Sequence, residues 1–296
     1  RRIFGGSVML MGLGVGLCAL APTYGILFLA LVIAGLGEGT IEGLATPFIQ
    51  DLHQDEPGRY INFTHGFWSV GVTVTVLLAG ALLAAGVSWR WLVGGVGFLG
   101  LIPAALLLLP ASTGQQQYPD HPEPLSWRTV RDHAQDILRR PRFWLFFVAM
   151  FLAGGGEFGL TFWVASYIQL NFSATAWAGG VGTALFALGM VLGRLASGYF
   201  VKQDQLARLI LWTALGGTVV TLAFPWLHSL KLFFPLLFLS GLATAPYWPS
   251  LQSYCSDRLP GTDTTMLFIL LSCAGVPGCG VVAWLLFCNT PEARDS

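Results

Sequence analysis

Nine apolar runs, at about 3–21, 24–52, 60–86, 89–111, 142–172, 173–202, 205–227, 231–257 and 263–288, are set apart by charge or by Pro and Gly. A helix rises about 1.5 Å per residue, so runs of this length cross the roughly 30 Å hydrocarbon core of a bilayer. The chain therefore reads as an all-α polytopic membrane protein with nine transmembrane helices. Composition closes the alternative. With 54% hydrophobic and only 10% charged residues, the chain has too little polar surface for a soluble domain. The five cysteines, Cys18, Cys255, Cys273, Cys279 and Cys288, sit in or at the ends of apolar runs without metal-ligand spacing and read as packing residues. No signal peptide opens the chain, and its start at Arg1 rather than Met suggests a fragment.

One long polar segment, 112–141, rich in Pro, Gln and Arg and ending in the amphipathic stretch TVRDHAQDILRR, separates a first bundle, 1–111, from a second, 142–296. Twelve of the fifteen Lys and Arg, Arg194 counted among them, fall on the linker's side of the spans, against Arg90, Lys231 and Arg294 on the other. Since cytoplasmic loops keep an excess of basic residues, the linker is expected in the cytoplasm and the membrane is expected to be a plasma or inner membrane.

Sliding the chain by 206 residues lays AGLGEGTIEGLATPFIQDL on SGLATAPYWPSLQSYCSDR, with Gly35 over Gly241, Leu36 over Leu242, Asp51 over Asp257 and Arg2 over Arg208. An even number of crossings separates the counterparts, so the repeats are parallel. By the same register, 142–172 and 173–202 would fall on residues before Arg1. The expectation is two six-helix bundles, with two helices absent at the front and one behind.

Two such halves joined by a polar linker resemble the major facilitator superfamily, and GRLASGYFVKQDQLAR (Gly193 to Arg208) resembles its loop motif between the second and third helices of each half. GEGTIEGLATPFI, INFTHGFWSVG, SWRW and GGGEFGLTFWVASYI are similar to sugar permeases related to the fucose–proton symporter group, in which Glu42, Asn62, His65, Phe67 and Trp68 would take the places of a Glu, an Asn-x-x-His and an aromatic pair. Leu31 stands where the superfamily's fourth helix carries an Arg, and SVGVTVTVLLAG lacks the Gly-Pro element of drug–proton antiporters.

Glu38 and Glu42, four apart, stack on one face of a single run, and Glu157 is the other acidic residue inside an apolar run. A charge at mid-bilayer depth costs several kcal/mol, roughly, and such groups usually face a partner or a watered cavity. Burial disfavours the ionised carboxyl, so each could take up a proton on one side and release it on the other; a permanently protonated structural carboxyl is the alternative. Counting depth puts Glu38, Glu157 and the stretch Thr244 to Trp248 at one level, and the resemblance implies that their helices line a central cavity. His65, with Asn62 one turn earlier, could exchange a proton with Glu42, or could simply fix a helix end.

Sugar rings stack on aromatics and bond through their hydroxyls, which nominates Trp163, Tyr247, Trp248, Gln252, Asn62 and Glu38 for substrate and Glu157, Glu42 and His65 for proton coupling. Arg2, Asp51, Arg194, Arg208 and Asp257 are expected to form charge pairs that hold a gate; solvated interfacial charge is the bland reading. Gly154, Gly155 and Gly156 before Glu157 could be a hinge or a packing surface. No HExxH, GxSxG or P-loop is present and no cofactor is implied. No basic surface domain supports nucleic-acid binding. The expected function is secondary transport of a small polar solute, a sugar with a proton or another cation, by a monomer in the bilayer. A small-metabolite exporter and a non-transporting membrane scaffold or sensor are the alternatives.

Overall fold

A computed structural model describes residues 2–109, 126–275 and 277–281. Arg1, the first part of the linker, Cys288 and Arg294 lie outside them. The described residues form helices and no strands: α1 (Arg2–Leu20), α2 (Tyr24–Leu52), α3 (Pro57–Ala84), α4 (Trp89–Leu108), α5 (Trp127–Leu138), α6 (Pro141–Asn171), α7 (Ala176–Phe200), α8 (Leu206–Leu222), α9 (Leu230–Thr244), α10 (Tyr247–Arg258) and α11 (Thr264–Ser272). Among the described residues nine helical segments are long and apolar enough to cross a membrane, α9 and α10 forming one of them. The amphipathic stretch of the linker is α5.

Starts and stops follow local chemistry. Pro57 and Pro141 occupy first-turn positions, where a missing N–H costs nothing. Thr175 and Asp263 cap α7 and α11 by accepting from the amides of Ala178 and Met266. Arg90 donates to the carbonyls of Ala19 and Ala21 at 3.1 and 2.8 Å, satisfying the end of α1.

Packing separates two compact units, residues 1–45 with 86–135 and residues 46–85 with 136–296. In the first, α1 lies between α2 and α4 at backbone distance. A Cβ at Gly97 would fall 2.5 Å from the Gly16 amide, and one at Gly37 equally near the Met11 amide. Where lipid is as apolar as leucine, such small-residue crossings let dispersion hold helices together. Large side chains point outward instead, as at Phe98 and Leu99.

The second unit is not cut at the linker: α3 belongs to it because α3 packs along the length of α7. A Cβ at Gly180 would lie 2.8 Å from the Val76 carbonyl, and one at Gly198 2.9 Å from that of Arg59. Its interior holds two apolar clusters, one around Phe143, Met150, Trp248 and Phe268, the other around Ile168, Phe186, Met190 and Phe233. Helix α6 runs unbroken through Gly154 to Gly156, and a Cβ at Gly154 would stand 2.6 Å from the Gly275 Cα. That glycine serves close packing.

Candidate functional site

The run 231–257 is not one helix. Pro246 and Pro249 lack amide hydrogens, so the carbonyls of Leu242 and Ala245 lose their partners four residues on, and α9 stops at Thr244 before α10 begins at Tyr247. In lipid an orphaned carbonyl costs several kcal/mol, roughly, unless another group reaches it. Arg194 does so from α7: its Nε donates to the Ala245 carbonyl at 3.0 Å. Gly193 makes the approach possible, since a Cβ there would stand 2.5 Å from that of Ala245.

The same guanidinium ties three further groups. Nη1 donates to Ser69 Oγ at 2.6 Å and to the His65 carbonyl at 3.1 Å, both on α3, and Nη2 meets Glu157 Oε1 on α6 at 2.5 Å. The cation also lies 5.4 Å from the centre of the Trp68 ring. Arg194 is 0% exposed and Glu157 2%, so this is a buried ion pair joining α3, α6, α7 and the α9–α10 break. Neither desolvated charge would persist without the other.

Arg194 thus lies inside a membrane-spanning helix and not among the loop charges with which it was counted. The signal was present, an arginine within the apolar stretch GMVLGRLASGYF, but the loop-motif resemblance pulled it outward.

Aromatic residues flank the pair. Phe158 packs against Trp68 at 6.3 Å, Trp248 at 5.2 Å and Phe162 at 5.9 Å between ring centres. Phe162 is exposed, and Trp68 and Phe158 are half-buried, so part of this aromatic surface is open. Trp248 itself is buried against Gly275.

Other nominated residues sit elsewhere. Trp163 and Tyr247 line a separate cavity of about 790 Å³, with Gly156, Tyr167, Thr218 and Thr244, on a different face of α6 from Phe158 and Phe162. Tyr247 does not offer its hydroxyl to that space, because it donates to the Thr213 carbonyl at 2.7 Å. Gln252 is fully buried, its amide 3.4 Å from Ser272 Oγ. Asn62 is buried and donates to the Gly58 carbonyl at 2.8 Å and Ser250 Oγ at 3.1 Å. In the first unit, Glu38 is exposed along α2, Glu42 is partly so, and Gly35 and Gly39 beside them meet nothing within 4 Å.

The expected pair of Arg208 with Asp257 does not form among the described residues. Asp257 instead accepts from Gln203 Nε2 at 2.8 Å, and that amide also donates to Ser253 while its Oε1 accepts from the Gly58 amide at 3.0 Å. Gln203 therefore clasps the start of α3 to the second half of α10. Asp51 and Arg2 stand in different units. Beside Asp51, Gln50 donates to Ser256 at 2.7 Å, the residue that is its own counterpart at the 206-residue offset.

The α9–α10 break is open to test. Pro249→Ala supplies the missing amide to the Ala245 carbonyl, so the helix can close and Arg194 Nε must share its acceptor. The two effects oppose, and stability should change by no more than about 1 kcal/mol. Thermal melting reads the change; a loss of about 3 kcal/mol or more would mean that the Arg194 contact outweighs the regained amide bond.

The model of the Major Facilitator Superfamily matches residues 1–287. Among characterised relatives, the chain is 30% identical over 106 residues to "Efflux pump DEP3" of Fusarium langsethiae, covering 36% of this chain and 18% of that protein. It is 32% identical over 85 residues to "MFS-type transporter pgmG" of Aspergillus terreus, covering 28% and 15%. The matched stretch is thus under a fifth of either relative's length. Among solved structures, the transporter FucP in its outward conformation aligns with a TM-score of 0.62 at 16% identity, over 99% of this chain and 78% of that one. A bacterial homologue of the human lysosomal transporter Spinster, inward-facing and occupied, aligns with a TM-score of 0.61 at 18% identity, over 95% and 66%. These likenesses establish the fold, and the family is one of transporters rather than enzymes. With nine segments among the described residues long and apolar enough to span a membrane, and a family match along nearly its whole length, this chain belongs to the Major Facilitator Superfamily.

Proposed function

We propose that the chain is part of a secondary transporter that carries a small polar solute, a sugar, coupled to protons, with Glu157 as the coupling group. The observation that carries this reading is the buried Glu157–Arg194 pair tied to the α9–α10 break. Protonating Glu157 removes the charge that compensates Arg194, and the guanidinium must then find other acceptors among Ser69, the His65 carbonyl and the Ala245 carbonyl. Its hold on three helices changes with one proton, which is the kind of bistable element alternating access requires. The open aromatic surface of Trp68, Phe158 and Phe162 beside the pair suits the apolar face of a sugar ring, whose hydroxyls need polar partners nearby.

In the same proposal Glu42 and His65 join Glu157 in proton coupling, and Glu38, Asn62, Trp248 and Gln252 are assigned to the solute. Trp163 and Tyr247 bear on solute only through the separate cavity. Asp51, Arg208 and Asp257 are assigned to a gate, with Arg2 the repeat counterpart of Arg208; Gln50 and Gln203 make the contacts observed beside Asp51 and with Asp257. The 206-residue repeat is what supports two like-folded bundles, proposed at 1–111 and 142–296; a monomer with the 112–141 linker in the cytoplasm of a plasma or inner membrane belongs to the same proposal, on the excess of Lys and Arg on the linker's side.

The test is proteoliposome uptake of labelled monosaccharides with and without an imposed proton gradient. Glu157→Gln should lose gradient-driven accumulation by about tenfold or more while keeping exchange between labelled and unlabelled solute. Full accumulation in that variant would take Glu157 out of coupling. Outward movement of a small metabolite is the second reading, favoured by the relative named an efflux pump; loading the solute inside the vesicles distinguishes the directions.

A further inference from the structure

At the linker's end of the second unit, three arginines cluster where α6 begins and α10 ends. Arg140 is engaged: its Nη2 meets Asp136 at 2.8 Å and its Nη1 donates to the Pro260 carbonyl at 3.0 Å. Arg142, the second residue of α6, and Arg258, the last of α10, make no hydrogen bond or ion pair within the described residues, although both are exposed and both line one cleft of about 320 Å³. The nearest acid in sequence, Asp257, is taken by Gln203.

The rest of the cleft is apolar. Leu145 and Phe146 complete its lining. Phe146 meets Tyr254 edge to face at 5.8 Å, and the Arg258 guanidinium lies 4.9 Å from the Tyr254 ring centre. An aromatic wall therefore holds one cation in place. Leu145, 73% exposed, continues one turn along α6 into the apolar part of the span.

We propose that this cleft binds an anionic phospholipid, with its phosphate between Arg142 and Arg258 and the start of an acyl chain along Leu145 and Phe146. Charge comes first at the helix ends and apolar surface directly below, which is the order of groups in a lipid at the depth where its phosphate lies. A soluble anion would match the two cations but leave the apolar floor without a partner. Basic clefts between spanning helices are the general form of headgroup sites. Nothing here depends on which solute is carried.

Native mass spectrometry of the full chain, released from detergent after incubation with phosphatidylglycerol or phosphatidylcholine, tests the assignment. The protein should retain phosphatidylglycerol in preference. Arg142→Gln with Arg258→Gln should cut that retention about tenfold without changing retention of phosphatidylcholine. Arg142→Lys with Arg258→Lys, which keeps both charges, should retain the preference and guards against a folding defect. Equal retention of the two lipids by the unaltered protein would overturn the proposal, as would an unchanged preference in the glutamine variant. Displacement of the lipid by millimolar inorganic phosphate would instead assign the cleft to a soluble anion and overturn the lipid.

Discussion

Arg194→Met is expected to be the most damaging single substitution in the chain. It removes the group that satisfies the Ala245 carbonyl, Ser69 and Glu157 together, and it leaves the Glu157 carboxylate buried and uncompensated. Stripping one partner from a buried pair costs about 3–5 kcal/mol, whereas replacing both by apolar groups of similar volume is often neutral. The double variant Glu157→Leu with Arg194→Met should therefore recover most of the lost thermal stability, measured by the intrinsic fluorescence of the tryptophans on heating. It should not recover uptake. If the single variant melts like the parent, the pair holds nothing together; if the double variant transports normally, the pair is structural alone.

How much of this was legible beforehand depends on the kind of information each feature needs. The spans were, because the bilayer sets a minimum length that a local run of apolar residues either reaches or does not; 24–52 matches α2 to the residue. Breaks inside a span were harder. Pro246 and Pro249 were visible, yet α2, α4 and α9 each carry an internal proline, Pro47, Pro103 and Pro235, without stopping. What decides the outcome at Ala245 is a distant side chain able to take the freed carbonyl.

Glu157 could be singled out as a carboxyl in an apolar run, but its partner is 37 residues away on another helix, and periodicity on one helix carries no record of that pairing. The same limit applies to Trp163 and Tyr247: the spacing of residues along a span says nothing of the cavity they line, since rotation about the helix axis is fixed by neighbours.

A second large effect is expected where α7 crosses α9. Gly189 on α7 faces Gly241 on α9, with Gly193 one turn on against Leu242 and Ala245, and the backbones touch: a Cβ at Gly241 would collide with the Phe186 carbonyl oxygen, one at Gly189 with that of Phe238, and one at Gly193 would stand 2.8 Å from that of Leu242. The obstacles are main-chain atoms, so no side chain can swing aside to relieve them. Gly241→Val must push the two helices apart over their whole crossing, and overpacking of this kind costs about 1–3 kcal/mol or more. The displacement also carries Arg194, one residue beyond Gly193, away from the Ala245 carbonyl, so the packing loss and the polar loss arrive together. Size-exclusion profiles of detergent-solubilised protein should show a large fall in the monodisperse fraction for Gly241→Val and Gly189→Val. Gly216→Ala, where nothing lies within 4 Å, should stay within about 0.5 kcal/mol of the parent or gain slightly from better helix propensity. Equal behaviour of the crossing and open positions would mean that α7 and α9 are not in backbone contact, and with that contact would go the route by which Arg194 reaches the broken helix.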